Sequence, residues 1–151
     1  MDWAFDITRK NRDILKRFLQ EFSLEQLNKI PEGFNNNIFW NIAHVVVTQQ
    51  LLIYNMSGLK MPVDEELVNK YRKDTKVEND VTQVKVDELI KLLHNSLDQL
   101  IQDYKNNLFK SYNEYTVSTN STLTNVEDAI QFNNFHEGIH LGYILAMKKH
   151  I

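Results

Sequence analysis

Apolar residues in this 151-residue chain return every third or fourth position through long stretches, with very little glycine or proline between them. That spacing marks amphipathic helices, each laying one face on a core. With 4 Gly and 2 Pro, the chain lacks the turn residues that a sheet protein places between strands. The fold expected is all-α: a four-helix bundle with long crossover connections, one domain over residues 1–151.

The first helix is predicted over Asp2–Phe22. Trp3, Ile7, Ile14, Leu15, Phe18, Leu19 and Phe22 form its apolar face, with Arg9, Lys10, Arg12, Asp13, Lys16 and Arg17 between them. Ser23, with Glu25 and Gln26 behind it, marks a short extra turn that Pro31 and Gly33 end. The cluster Asn35–Asn37 caps a second helix running through Trp40, His44 and Leu52 to Ser57, where Gly58 closes it. Lys60–Asp80 is polar, with one short helix at Asp64–Tyr71. A third helix follows over Val86–Asn106 on a stripe of Leu89, Leu92, Leu93, Leu97, Leu100, Ile101 and Tyr104. Leu108–Leu123 is the longest crossover, and its strand-like piece Tyr115–Val117 is too short to build a sheet. Thr124 with Glu127 reads as the capping box of a fourth helix that continues to the C-terminus, where Lys148 and Lys149 complement the helix dipole.

Several function classes are excluded or disfavoured. The formal net charge is -3 with no long basic run, so nothing marks a nucleic-acid surface. No cysteine occurs, which removes disulfides, thiolate ligands and a cysteine nucleophile. The longest uncharged stretch, Phe34–Leu59, is interrupted by His44, Thr48, Gln49, Gln50 and several Asn, so it is no membrane span. Met1–Lys10 has no apolar leader core, and a cytoplasmic location is expected.

The chemistry concentrates in histidines. His136 and His140 are four apart, which stacks them one turn apart on one helix face. His44 stands mid-way along the second helix on its apolar side. Three neutral imidazoles with one open position form the ligand set of a catalytic zinc site. The alternative is three core histidines, each held by its own hydrogen bond; buried together without an ion, they would need such partners. Asn41 and Thr48 share the face of His44, and Asn133 lies three before His136, so these three are candidate partners for the outer ring nitrogens. His136–His140 also matches H-E-x-x-H, in which Glu137 would be a general base. Against that, few residues remain downstream for a third ligand, and Gly138 weakens the helix. Glu137 is also turned about 100° from His136. His94 and His150 read as surface or structural residues.

The run Phe39-Trp40-Asn41-Ile42-Ala43-His44, with Thr48-Gln49-Gln50-Leu51-Leu52 and Ser57-Gly58-Leu59, resembles the second helix of DinB/YfiT-like proteins. Asn133-Asn134-Phe135-His136-Glu137-Gly138-Ile139-His140-Leu141-Gly142 resembles their last helix, whose pattern is His-x-x-x-His-x-Gly-Gln. Tyr143 stands where that pattern has Gln. The resemblance implies a four-helix bundle, often a homodimer, with a divalent metal, usually zinc or nickel, on His44, His136 and His140. It further implies kinship with thiol S-transferases that use low-molecular-weight thiols, with a maleylpyruvate isomerase, and with members of no assigned activity.

Three functions remain in play. In the first, a metal-dependent transferase activates a small thiol against an electrophilic small molecule. In the second, a metal-dependent hydrolase uses Glu137 or another carboxylate beside bound water. In the third, the bundle is non-catalytic and binds a metal or small molecule.

Overall fold

A computed structural model describes residues 1–151. Six helices account for most of the chain: α1 (Asp2–Glu21), α2 (Leu24–Asn28), α3 (Ile38–Gln50), α4 (Glu65–Tyr71), α5 (Gln83–Lys105) and α6 (Val126–Met147). The strands are β1 (Tyr115–Thr116) and β2 (Thr122–Leu123). They pair antiparallel, with Tyr115 opposite Leu123, and make a minimal ribbon inside the last crossover. The all-α expectation is met.

The helix ends follow local chemistry. Ser23 and Gln26 form a reciprocal capping box on α2. The Asn37 side chain accepts from the Trp40 N–H at 2.8 Å and starts α3. The expected cap of the last helix is off by one residue. Asn125, not Thr124, accepts the Asp128 N–H at 2.8 Å, and Thr124 donates both its N–H and its hydroxyl to the Asp128 carboxylate. Glu127 is instead engaged by the Tyr104 hydroxyl at 2.8 Å.

The second helix is not α-helical throughout. Beyond Gln50 it widens into a π-helical stretch, Leu51–Asn55, in which Met56 N–H donates to Leu51 O. Gly58 then adopts φ 70°, and Gly58 and Leu59 donate back to Asn55 O and Tyr54 O, closing the end as a Schellman motif.

The four long helices form a ring in which α1 packs on α5 and α6, and α3 packs on α6 and α5. Two apolar clusters fill the ring. One joins Leu15, Phe18, Ile38, Ile42, Leu93 and Ile144 at one end. The other joins Phe5, Leu52, Ile53, Leu97, Leu100 and Ile130 at the opposite end. Along each of the four long helices, the residues between these clusters include buried polar ones: Thr8 and Arg12 on α1, His44, Gln49 and Gln50 on α3, Ser96 on α5, Asn133 and Glu137 on α6. Arg12, expected among the polar positions of the first helix, is fully buried in this layer. No helix is long and apolar enough to cross a membrane.

Candidate metal centre

His44 comes from α3, and His136 and His140 come from the facing side of α6. Each offers one ring nitrogen to a group whose atoms all lie within 4.8 Å of one another. His44 Nε2 and His136 Nε2 are 3.2 Å apart. Nitrogens held about 2.1 Å from one ion and separated by that distance would subtend about 100°, between the octahedral and tetrahedral angles.

The outer nitrogens define the tautomers. His44 Nδ1 lies 2.6 Å from the Tyr71 carbonyl, an acceptor only, so it must carry the proton. His140 Nδ1 lies 2.8 Å from Asn41 Oδ1. The Asn41 amide nitrogen is committed to Asn37 O at 2.8 Å, which turns Oδ1 to the imidazole. Both rings thus keep Nε2 as a lone pair. The His44 lone pair faces His136 Nε2, and two bare lone pairs at 3.2 Å repel, so a proton or a cation must sit between them. The Thr48 hydroxyl stands 3.2 Å from the same His44 Nε2 and donates to it.

Burial keeps these imidazoles neutral. It pushes His136 down to about 2, helped by its histidine neighbours and the Arg12 charge. His140 falls to about 3, through burial and then His44. His44 is lowered by burial, against a smaller upward pull from the Tyr71 carbonyl. Neutral imidazole is the ligating form. Trp40 covers the cluster by stacking on His44, with ring centroids 4.7 Å apart and an interplanar angle of 11°. Its indole N–H reaches Thr75 Oγ1 at 3.2 Å, which ties the loop after α4 to the site.

The remaining polar residues sort differently from the sequence expectation. Asn41 and Thr48 touch the histidines, as above. Asn133 does not: its amide donates to Glu137 Oε1 at 2.9 Å, inside the buried polar layer. Glu137 itself is fully buried, and Oε1 accepts from Arg12 Nε at 2.9 Å and Nη2 at 2.7 Å. Arg12 Nη2 also donates to Gln49 Oε1 at 2.8 Å. The H-E-x-x-H reading therefore fails on geometry, because its carboxylate is turned into the core and paired. His94 makes an outlying pair with Asp13 at 2.8 Å, and the His150 ring lies near Phe34.

Sequence reasoning missed Tyr71 and Arg12. Tyr71 acts through a backbone carbonyl, which no residue type announces. Arg12 sits in register with Thr8 and Leu15, the buried face of α1, and that register was the available signal.

The sequence profile of the DinB superfamily matches residues 7–144, nearly the whole chain and all three histidines. The chain belongs to the DinB superfamily. No functionally curated protein matches it. As a DinB-superfamily member, it carries a three-histidine cluster whose donor set, spacing and tautomers fit a divalent metal ion.

Proposed function

We propose that this DinB-superfamily protein is a divalent-metal-dependent transferase, with zinc or nickel on His44, His136 and His140. It would join a low-molecular-weight thiol to an electrophilic small molecule. The observation that carries the reading is the paired orientation of His44 and His140. Tyr71 O and Asn41 Oδ1 hold their protons outward, which leaves both Nε2 lone pairs free for an ion, with that of His44 facing His136. A divalent ion held by three neutral imidazoles keeps its full charge, favours an anionic fourth ligand, and lowers the pKa of a thiol placed there.

The chain's own residues prepare that chemistry. Burial of the histidines removes proton competition for the ligand nitrogens. Thr48 donates to His44 Nε2 only while that lone pair is free. Once the lone pair is engaged, its hydroxyl is released to donate to an anion. Trp40 shields one side of the cluster from water. Tyr143, whose ring lies 6.3 Å from that of His140, gives the rim an aromatic surface for an organic substrate. A hydrolytic reading would need a carboxylate base, and Glu137 is held by Arg12 instead. A reducing, cytoplasmic setting suits a thiol co-substrate.

The test uses the absence of cysteine. Cobalt-substituted protein titrated with a physiological thiol should develop a sulfur-to-metal charge-transfer band, and the protein itself has no thiol to supply one. A cobalt spectrum unmoved by millimolar thiol would sink the transferase reading.

A further inference from the structure

We infer that Asn133 and Glu137 hold a buried water against Nδ1 of His136, and that this water lets His136, alone of the three histidines, exchange tautomers when an ion enters. The exchange rests on the metal reading above; the water rests on the packing of the chain itself.

The three rings are not held alike. His44 and His140 each present Nδ1 to an oxygen that only accepts, Tyr71 O at 2.6 Å and Asn41 Oδ1 at 2.8 Å. Their tautomers are therefore fixed, with Nδ1 protonated and Nε2 bare. His136 has no such oxygen. Its Nε2 lies 3.2 Å from the bare Nε2 of His44. In metal-free protein the proton between these two nitrogens belongs to His136 Nε2, because the single proton of the neutral His44 ring is already on Nδ1. Nδ1 of His136 is then a bare acceptor. With an ion on Nε2, the neutral ring carries its proton on Nδ1 instead. One proton leaves Nε2 and one arrives at Nδ1, so the ring stays neutral. The same atom must accept in one state and donate in the other.

Nδ1 of His136 is buried and makes no hydrogen bond within the chain. A carbonyl there would suit only the ion-bound ring, and an amide N–H only the metal-free one. Water suits both, because it donates and accepts. The surroundings match it. Four side chains, each at most 2% exposed, leave one polar atom unpaired: Oδ1 of Asn133, Oε2 of Glu137, Nη1 of Arg12 and Nε2 of Gln49. The first two accept and the last two donate. They belong to one connected group, since Glu137 Oε1 accepts from Asn133 at 2.9 Å and from Arg12 at 2.7 Å, and Arg12 reaches Gln49 at 2.8 Å. That group adjoins His136. Asn133 lies one turn before it on α6, where residues three apart have Cβ atoms about 5–6 Å apart.

Buried polar groups are almost always paired, and a buried water typically makes two to four hydrogen bonds. In metal-free protein such a water accepts from Arg12 Nη1 or Gln49 Nε2 and donates to His136 Nδ1 and Asn133 Oδ1. With the ion bound, it turns to accept from His136 Nδ1 and donates to Asn133 Oδ1 and Glu137 Oε2. A ligand histidine needs an acceptor for its outer N–H, and this arrangement supplies one without a fixed oxygen. Asn133 and Glu137 are thus positioning residues that act on His136 through the water.

Long-range proton–nitrogen NMR spectra of zinc-free and zinc-loaded protein read the tautomer of each ring. His44 and His140 should be protonated on Nδ1 in both. His136 should be protonated on Nε2 without zinc and on Nδ1 with it. A crystal structure of the zinc-free protein fine enough to show waters should place one within about 3.2 Å of His136 Nδ1. Asn133→Leu should weaken zinc binding about tenfold or more in competition with a chelator. Asn133→Ser, which keeps an oxygen and leaves room for water, should bind zinc more tightly than Asn133→Leu. Both variants lose the amide that donates to Glu137 Oε1, so a merely structural role would not separate their affinities. His136 protonated on Nδ1 in zinc-free protein overturns the exchange. No water at that nitrogen overturns the water site, and equal zinc affinities in the two variants overturn the role of Asn133. If Asn133→Leu fails to fold, the wild-type spectra and crystal structure still decide. A chain that binds no zinc sinks the proposed function and the exchange with it, whereas zinc binding with an unchanged His136 tautomer sinks this inference alone.

Discussion

Replacing Arg12 by Met tests whether the buried polar layer is held by charge pairing. Arg12 and Glu137 have no exposed side-chain surface, and three short hydrogen bonds join Arg12 to Glu137 Oε1 and Gln49 Oε1. Methionine fills similar space and removes the cation, leaving the Glu137 carboxylate buried without a counter-charge. Removing one partner of a buried pair typically costs about 3–5 kcal/mol. The middle of that range, about 4 kcal/mol, is a fall in melting temperature of about 8–16 °C for a chain of this length.

Arg12→Met combined with Glu137→Met removes both charges and should recover most of the loss. Urea denaturation of wild type and the two variants at pH 7 measures both effects. A single-variant loss below about 1 kcal/mol, or a double variant no better than Arg12→Met, would refute the pairing argument.

Other outcomes follow from the histidine cluster. His140→Ala should lose its metal while circular dichroism keeps the helical signal, because the two apolar clusters of the bundle do not depend on an ion. Full unfolding at room temperature would contradict this, and so would unchanged metal content. Asn41→Leu removes the acceptor that orients His140 and should weaken metal affinity by about 10–100-fold in competition with a chelator. Metal-free protein should lose stability as pH falls. His136 and His140 are pushed down to about 2 and about 3, so their full contribution is present above the ordinary histidine range near 6.5 and is lost below it. Each should cost up to about 2 kcal/mol between pH 6.5 and pH 5. A flat stability profile over that interval, read by chemical denaturation, would contradict the buried neutral state.

Much of the architecture was legible because helix periodicity is a local property. The stripe of Leu89, Leu93, Leu97 and Leu100 announces α5, and Gly58 at the end of the second helix announces its left-handed cap. Periodicity put His136 and His140 on one helix face and His44 on the apolar side of another, which left three separate core histidines open; the resemblance to the DinB family joined them into one site. The π-helical stretch after Gln50 was not legible: Leu51–Asn55 has an ordinary helical pattern, and the wider turn is set by what packs around it. Nor was the partner of Glu137, although its turn away from His136 already weighed against the metalloprotease motif. Only the depth of Arg12 on a different helix, 125 positions away, decides that its carboxylate serves the core.

The place of Glu137 bears out the argument from helix geometry against the motif. Residues one apart on a helix point about 100° away from each other, so a histidine and the glutamate that follows it address different surroundings. In a zincin both surroundings must open onto one cleft. Here α6 is packed between α1 and α3, and the two directions meet different neighbours. His136 faces His44 on α3, and Glu137 faces Arg12 on α1. The same turn of helix thus serves two purposes, ligand presentation on one side and charge pairing on the other. Gly138 then starts the third direction, outward, where neither α1 nor α3 covers the helix.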